Sequence, residues 1–202
     1  MGLRETKKQQ TRQAIADAAL PLFLECGFDQ VSVAEVARIV GVSGQTVFNY
    51  FPAKEDLFFD RQAEAEDQLA MIVRDREEGS CPVEAVRDYV LDELEQRYSE
   101  TSTVDEMLRL WRVIQQSPSL RAREREMAEN TEIALATELQ KEGVVPSPLL
   151  LAGAIAGIHR AVQRELRRRL LAGEPGPLPP CPDLPAFTRT AFDTLCDGLH
   201  HS

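Results

Sequence analysis

The chain has 202 residues, 43% of them hydrophobic and 28% charged, with a formal net charge of −10 and a pI near 4.9. That balance belongs to a soluble globular protein of one large or two small domains and excludes a largely disordered chain. The longest apolar run, residues 149–158, falls far short of the roughly 20 residues that a membrane span needs. No apolar targeting segment follows the N-terminus, so no membrane partner is expected and the expected location is cytoplasmic.

In chain order, Arg4, Lys7, Lys8 and Arg12 stand against Glu5 alone, 4 − 1 = +3 over the first twelve residues. Such an arm reads equally as a phosphate-reaching extension or as a solvated tail. Residues 11–26 place Ile15, Ala18, Ala19, Leu22, Phe23 and Cys26 at helical spacing before Gly27-Phe28, which predicts a first helix. Pro21 removes a backbone donor within it and belongs on its outer face. Ser32 and Glu35 form the pattern Ser-x-x-Glu of a helix start. Val36, Ala37 and Val40 then make one apolar stripe, and Gly41 supplies the left-handed geometry that ends the second helix. Ser43 caps a third, in which Val47, Tyr50 and Phe51 share one side while Gln45, Thr46, Phe48 and Asn49 face outward or sideways.

Two helices joined through Gly41-Val42 make a helix-turn-helix, whose second helix lies in the major groove of DNA with its first residues at base edges. The outward side chains suit that groove. Gln45 and Asn49 can pair two-pronged with adenine, Thr46 can bond a base edge or touch a thymine methyl, and Phe48 offers an apolar face. Gly44 presents no side chain and loosens the first turn slightly. Lys54 stands where the next helix starts, so its ammonium and the free amides there can hold one phosphate. A plain helical hairpin in a core would show the same hairpin pattern. The complete helix that precedes it favours a three-helix DNA-reading unit.

Thr11-Arg12, Ile15, Ala18-Ala19, Leu22-Phe23, Gly27-Phe28-Asp29, Val31-Ser32-Val33, Val36-Ala37, Gly41-Val42-Ser43, Thr46-Val47-Phe48, Tyr50-Phe51 and Lys54-Glu55-Asp56-Leu57 resemble the TetR family of bacterial transcriptional regulators. The likeness covers about the first quarter of the chain, and order, spacing and residue type agree across three helices. It implies an all-α protein with a DNA-binding domain at residues 1–55, including the basic N-terminal arm, and a larger helical domain at 56–202 for dimerisation and effector binding. It further implies a repressor that sits as a homodimer on a palindromic DNA operator and is released by a small-molecule effector. An activator, or a regulator of the same fold without effector, is the alternative. Carried over residue by residue, the expected DNA contacts are Ser32, Gln45, Thr46, Phe48, Asn49, Tyr50 and Lys54, with Ser43 and Gly44 on the first turn of the reading helix.

Past the hairpin the periodicity predicts helices at residues 55–78, 83–98, 104–116, 118–142, 148–172 and 183–199, with a Pro-rich loop at 173–182 and no strand. Residues 149–158 are apolar nearly all round, and Phe187, Ala191, Leu195 and Leu199 recur at four-residue spacing. These helices, near 149–171 and 183–199, correspond to the pair that TetR-like proteins use for a four-helix dimer seam; a single-chain core would give the same spacing. The basic run at residues 159–169 reads first as a helix end that satisfies its dipole, and second as an anion site. Met107, Leu110, Trp111 and Ile114 form an apolar stripe with the single Trp of the chain. Tyr89, Met127, Asn130 and His159 would add polar anchors for a mainly apolar effector. An ordinary core stripe is the commoner meaning of that spacing.

Four cysteines, Cys26, Cys81, Cys181 and Cys196, form no Cys-x-x-Cys pair and have no matching histidines, so no metal site is expected and reduced, packed thiols are. Cys81 and Cys181 lie in Pro-containing loops where a thiol can be exposed, but the sequence names neither an activating base nor a partner. There is no phosphate-cradling Gly-rich loop, no Gly-x-Ser-x-Gly and no His-Glu-x-x-His. Asp92-Glu93 and Asp105-Glu106 are sequence neighbours that diverge on a helix and read as solvated surface. Neither catalysis nor a cofactor is expected.

Overall fold

A computed structural model describes residues 3–60, 66–96, 101–143, 147–172 and 183–200. Among these residues the regular elements are all helical, in agreement with the all-α expectation. They are α1 (Leu3–Cys26), a 3-10 turn (Phe28–Gln30), α2 (Val33–Val40), α3 (Gly44–Tyr50), α4 (Lys54–Phe58), α5 (Gln68–Asp75), α6 (Pro82–Gln96), α7 (Thr101–Gln116), α8 (Pro118–Glu142), α9 (Pro148–Ala172) and α10 (Leu184–His200). They fall into two compact units, Met1–Ala63 with Arg109–Glu124, and Glu64–Leu108 with Arg125–Ser202.

The first unit is built on α1, which buries Ile15, Ala19 and Phe23 at the four-residue spacing of one helix face. Gly27 takes φ 86°, and its N–H reaches the Phe23 carbonyl at 3.1 Å, which closes the helix and turns the chain. That turn brings Phe28 to 5.0 Å from the Phe23 ring, and Phe58 of α4 stands 6.2 Å from Phe23 and 6.0 Å from Phe28. Such tilted and edge-on pairs suit the ring quadrupoles. Val36 and Ala37 of α2, Val47 and Phe51 around α3, and Leu57 of α4 are buried in the same unit. So are Ile114 and Leu120 from the later segment, which Ser117 fastens: its buried hydroxyl donates to Asp29 at 2.8 Å. Arg123 lies 3.2 Å from Asp56.

In the second unit α6 packs against α5, α9 and α10, and α9 also packs against α10. Val83, Val86, Val90 and Leu94 form the buried face of α6. Leu184, Thr188, Phe192 and Cys196, four residues apart, form that of α10. The apolar half of α9 is buried on one side only: Leu151, Ala152, Ile155 and Ala156 are inside, whereas Leu149 and Leu150 are 62% and 74% exposed. The basic half of α9 is largely met by carboxylates. Arg160 pairs with Glu132 at 3.2 Å, Arg168 with Glu165 at 2.9 Å, and Arg169 with Glu165 and Asp183 at 2.6 Å. Hydrogen bonds from Arg168 and Arg169 push the Glu165 carboxyl down to about 2, which favours the helix-end reading of this run over an anion site.

Three expectations change. The basic N-terminal residues do not precede the first helix but continue it, since α1 begins at Leu3. The helix runs on through Pro21, which is exposed as expected. The single helix expected at 55–78 is interrupted: α4 ends at Phe58 and α5 begins at Gln68. Leu57, Phe58 and Phe59 are all at most 3% exposed, and one face of a helix cannot bury three successive residues. Thirdly, the Thr101-Ser102-Thr103 stretch, read as a break, is the first turn of α7. The helices expected at 118–142 and 148–172 form with those bounds. The Pro-rich loop at 173–182, with Cys181, lies outside the described residues.

Replacing Phe23 by Ala should lower the unfolding free energy of the first unit by about 3–5 kcal/mol through transfer and cavity terms. Amide exchange across α1, α2 and α4 would measure it.

Candidate nucleic-acid interface

Each helix of the hairpin is started by a serine. Ser32, extended at φ −93° and ψ 152°, accepts the Glu35 N–H on its Oγ at 3.2 Å. Ser43 accepts the Thr46 N–H at 3.0 Å, and its hydroxyl also lies 2.8 Å from Thr46 Oγ1. Between them Gly41 sits at φ 77° and ψ 31°, with the Val42 N–H on the Ala37 carbonyl at 2.9 Å. That is the left-handed cap expected of it, and it lets α2 stop and α3 start across the three residues Gly41, Val42 and Ser43.

On α3 Val47 is wholly buried, whereas Gln45, Phe48 and Asn49 are exposed, Phe48 by 46%. Gly44, Thr46 and Tyr50 are half-buried, and Ser32 and Ser43 are exposed. The Gln45 amide donates to Asn49 Oδ1 at 3.3 Å, one helical turn away. The two amides are thus held side by side on one face, where their remaining donor and acceptor sites can meet adjacent base edges.

The end of α3 is gripped from α1. The Arg12 guanidinium donates to the Tyr50 carbonyl at 3.0 Å, pairs with Asp60, and lies 4.4 Å from the centre of the Phe51 ring. It thereby satisfies a carbonyl that the helix end leaves without a partner. Lys54, expected on phosphate, folds back: its ammonium donates to the Phe28 carbonyl and stands 4.1 Å from the Phe28 ring centre. Burial pushes the Lys54 ammonium below its ordinary value, opposed by the charges of Asp29 and Glu55. An ammonium has three donors, so the Phe28 contact does not exhaust it. Asp56 accepts the Ala53 N–H at 2.9 Å and starts α4 beside it.

Of the cations in the first sixty residues, Lys7, Lys8 and Arg38 are exposed, while Arg12 and Lys54 are engaged inside. The formal net charge of residues 1–60 is 6 − 8 = −2. The hold of Arg12 on the end of α3 was missed in the sequence.

The residues expected around an effector divide. Tyr89, Met107, Met127, Asn130 and His159 lie half-buried in the second unit, and Trp111 is buried in the first. Asn130 donates to Glu66 at 3.0 Å. His159 Nε2 lies 3.9 Å from Glu93 Oε2, and the Gln163 amide reaches the same carboxylate at 3.3 Å and His159 at 3.4 Å. Glu93, read as solvated surface, has a side chain only 9% exposed. Its sequence neighbourhood gives no hint of this, whereas Gln163 was recoverable as the residue one turn after His159.

Residues 15–60 match the family described as bacterial regulatory proteins, tetR family. The HTH-type transcriptional regulator TcmR of Streptomyces glaucescens is 27% identical over 172 residues, 81% of this chain and 76% of TcmR. Among solved structures, NalD, the secondary repressor of the MexAB-OprM multidrug efflux pump in Pseudomonas aeruginosa, superposes with a TM-score of 0.60 at 20% identity, covering 93% of this chain and 96% of NalD. A SmeT–triclosan complex does so with a TM-score of 0.57 at 16% identity, over 92% of this chain and 89% of SmeT. At those identities the two structures establish a shared fold.

Ser43→Ala should cost about 1 kcal/mol of α3 stability and Ser43→Gly only a few tenths. Amide exchange at Val47 and Phe48 should speed up for the first variant and hardly change for the second.

Proposed function

We infer that this chain, a DNA-binding transcription regulator of the TetR family, is a repressor that dimerises on a palindromic operator and leaves it when a small molecule binds. The observation that carries the reading is α3, a doubly capped two-turn helix whose outer face offers Gln45, Phe48 and Asn49 to solvent. Buried helices do not present such a face, and a major groove accommodates it.

Gln45, Thr46, Phe48 and Asn49 are assigned to base edges. Ser32, Ser43, Tyr50 and the amide of Gly44 are assigned to the phosphates beside them. Lys54 joins them by exchanging the Phe28 carbonyl for a phosphate oxygen. Residues 1–55 form the reading domain in this account, and 56–202 hold the effector and the dimer seam. The seam is assigned to α9 and α10, because each leaves large apolar side chains outside: Leu149 and Leu150 on one, Phe187, 62% exposed, on the other. Exposed apolar surface of that kind marks association.

For the effector we assign Tyr89, Met107, Met127, Asn130 and the group of His159, Glu93 and Gln163, a few polar anchors among apolar side chains. The triclosan in the SmeT complex supports a largely apolar, aromatic effector. Release would run through the hydrogen bond of Ser117 with Asp29 and the pair of Arg123 with Asp56. A shift of α7 or α8 pulls on both, and the reading heads must stay roughly 34–36 Å apart to engage successive grooves.

The test is binding to the duplex upstream of the chain's own gene at fixed salt, against a scrambled duplex of equal length. Tight, palindrome-dependent binding is expected, and equal weak binding to both would overturn the reading. Gln45→Ala or Asn49→Ala should relax base preference at one step by about 1–3 kcal/mol, and Lys7→Ala should reduce the salt slope by about 1 without changing preference.

A further inference from the structure

Two thiols that lie far apart in sequence meet in the second unit. Cys81 stands immediately before α6, Cys196 lies on α10, and their sulfurs are 3.2 Å apart across 115 residues of sequence. A disulfide needs about 2.05 Å, so the sulfurs have roughly 1.2 Å to close. The helices that carry them are already fastened beside the pair, since Arg87 of α6 bonds Asp193 of α10 at 2.7 Å. Together the two contacts run α6 and α10 in opposite directions, with Cys196 one turn past Asp193. No group of three or more metal-ligating side chains exists among the described residues, so the pair is not part of a recognisable metal site.

The two sulfurs differ in access. Cys81 is half-buried, whereas Cys196 is buried in the line of Leu184, Thr188 and Phe192. Burial, and after it the neighbouring Cys81 sulfur, push the Cys196 thiol up to about 12. It therefore waits as a neutral thiol, shielded from the oxidant that reaches Cys81.

We propose that Cys81 and Cys196 are a dithiol that a hydroperoxide converts into an intramolecular disulfide, bolting the start of α6 to α10. The Cys81 sulfur, giving up its proton, attacks one oxygen of hydrogen peroxide. An S–O bond forms, the O–O bond breaks, and hydroxide leaves and takes up that proton as water. The Cys196 sulfur then attacks the sulfenic sulfur of Cys81: the S–S bond forms, the S–O bond breaks, and the departing oxygen leaves as a second water with the Cys196 proton. Two thiols lose two electrons and two protons, and one peroxide is reduced to two waters. A thiol reductant reverses the change.

The test treats the full reduced chain with hydrogen peroxide, blocks remaining thiols with N-ethylmaleimide, and maps peptides under non-reducing conditions. The expected product joins the Cys81 and Cys196 peptides within one chain, two hydrogens lighter than their sum, and dithiothreitol abolishes it. In Cys196→Ser the oxidation should stop at the Cys81 sulfenic acid, giving several-fold more dimedone adduct than the wild type. Cys26 is exposed and serves as the control for peroxide dose. Recovery of both Cys81 and Cys196 as blocked thiols once Cys26 is oxidised would overturn the proposal. So would pairing of Cys81 with Cys26 or Cys181, or cross-links found only between chains.

Discussion

The guanidinium of Arg12 reaches from α1 to the end of α3, bonds the Tyr50 carbonyl, pairs with Asp60 and covers the Phe51 ring. A helix of seven residues is well under the ~12–15 that hold themselves in water, so α3 exists only as far as tertiary contacts impose it. Its start is fixed by Ser43, its middle by the buried Val47, and its end by Phe51 and Arg12. Each restraint acts on a different turn, so together they fix rotation about the axis as well as position. That rotation decides whether Gln45 and Asn49 face outward. Asp60 makes the grip hard to replace, since its side chain is only 13% exposed and a carboxylate left unpaired there would be costly.

The same contacts engage cations in a chain whose net charge is −10. Arg12 holds α3 and Arg123 pairs with Asp56 within the fold, while Lys54 bonds the Phe28 carbonyl that it exchanges for phosphate in the proposed complex. Lys7, Lys8 and Arg38 remain as exposed charges within the first sixty residues. Affinity that rests on few phosphate contacts has a shallow salt dependence, and a globally acidic chain repels DNA wherever its reading face is not engaged. In the proposed complex both effects would weaken non-specific binding and leave discrimination to base contacts.

What the sequence disclosed and what it hid follow the range of the interactions. Ser32, Gly41 and Ser43 were legible because a cap is decided within four residues, and the bounds of α8 and α9 because Pro118, Gly143 and Pro148 punctuate them. The break after Phe58 was hidden, since Leu57, Phe58 and Phe59 read as a helix until a core buries all three. The contacts that Lys54 and Arg12 make within the fold were hidden, because their acceptors, the Phe28 and Tyr50 carbonyls, are backbone atoms that no residue type announces. Glu93 with His159, and Cys81 with Cys196, are pairs brought together by helix packing across 66 and 115 residues. No local pattern encodes those meetings. The exposure of Gln45, Phe48 and Asn49 was legible because it is a statement about one helix, whereas an effector site is a statement about several.

The last helix carries two apolar lines of the same periodicity. Along α10 the line Leu184, Thr188, Phe192 and Cys196 is buried within the chain against neighbouring helices. Displaced from it by three residues, Phe187, Ala191 and Leu195 make a second apolar line, of which Phe187 is exposed and the other two are half-buried. A surface helix with one partner needs one apolar stripe, and its opposite face is free to be polar. A second stripe on α10, like the exposed Leu149 and Leu150 at the start of α9, leaves apolar area in water that folding of one chain does not remove. A second copy offering the same stripe would remove it from both at once. Because such a contact is isologous, each apolar side chain placed on it acts twice.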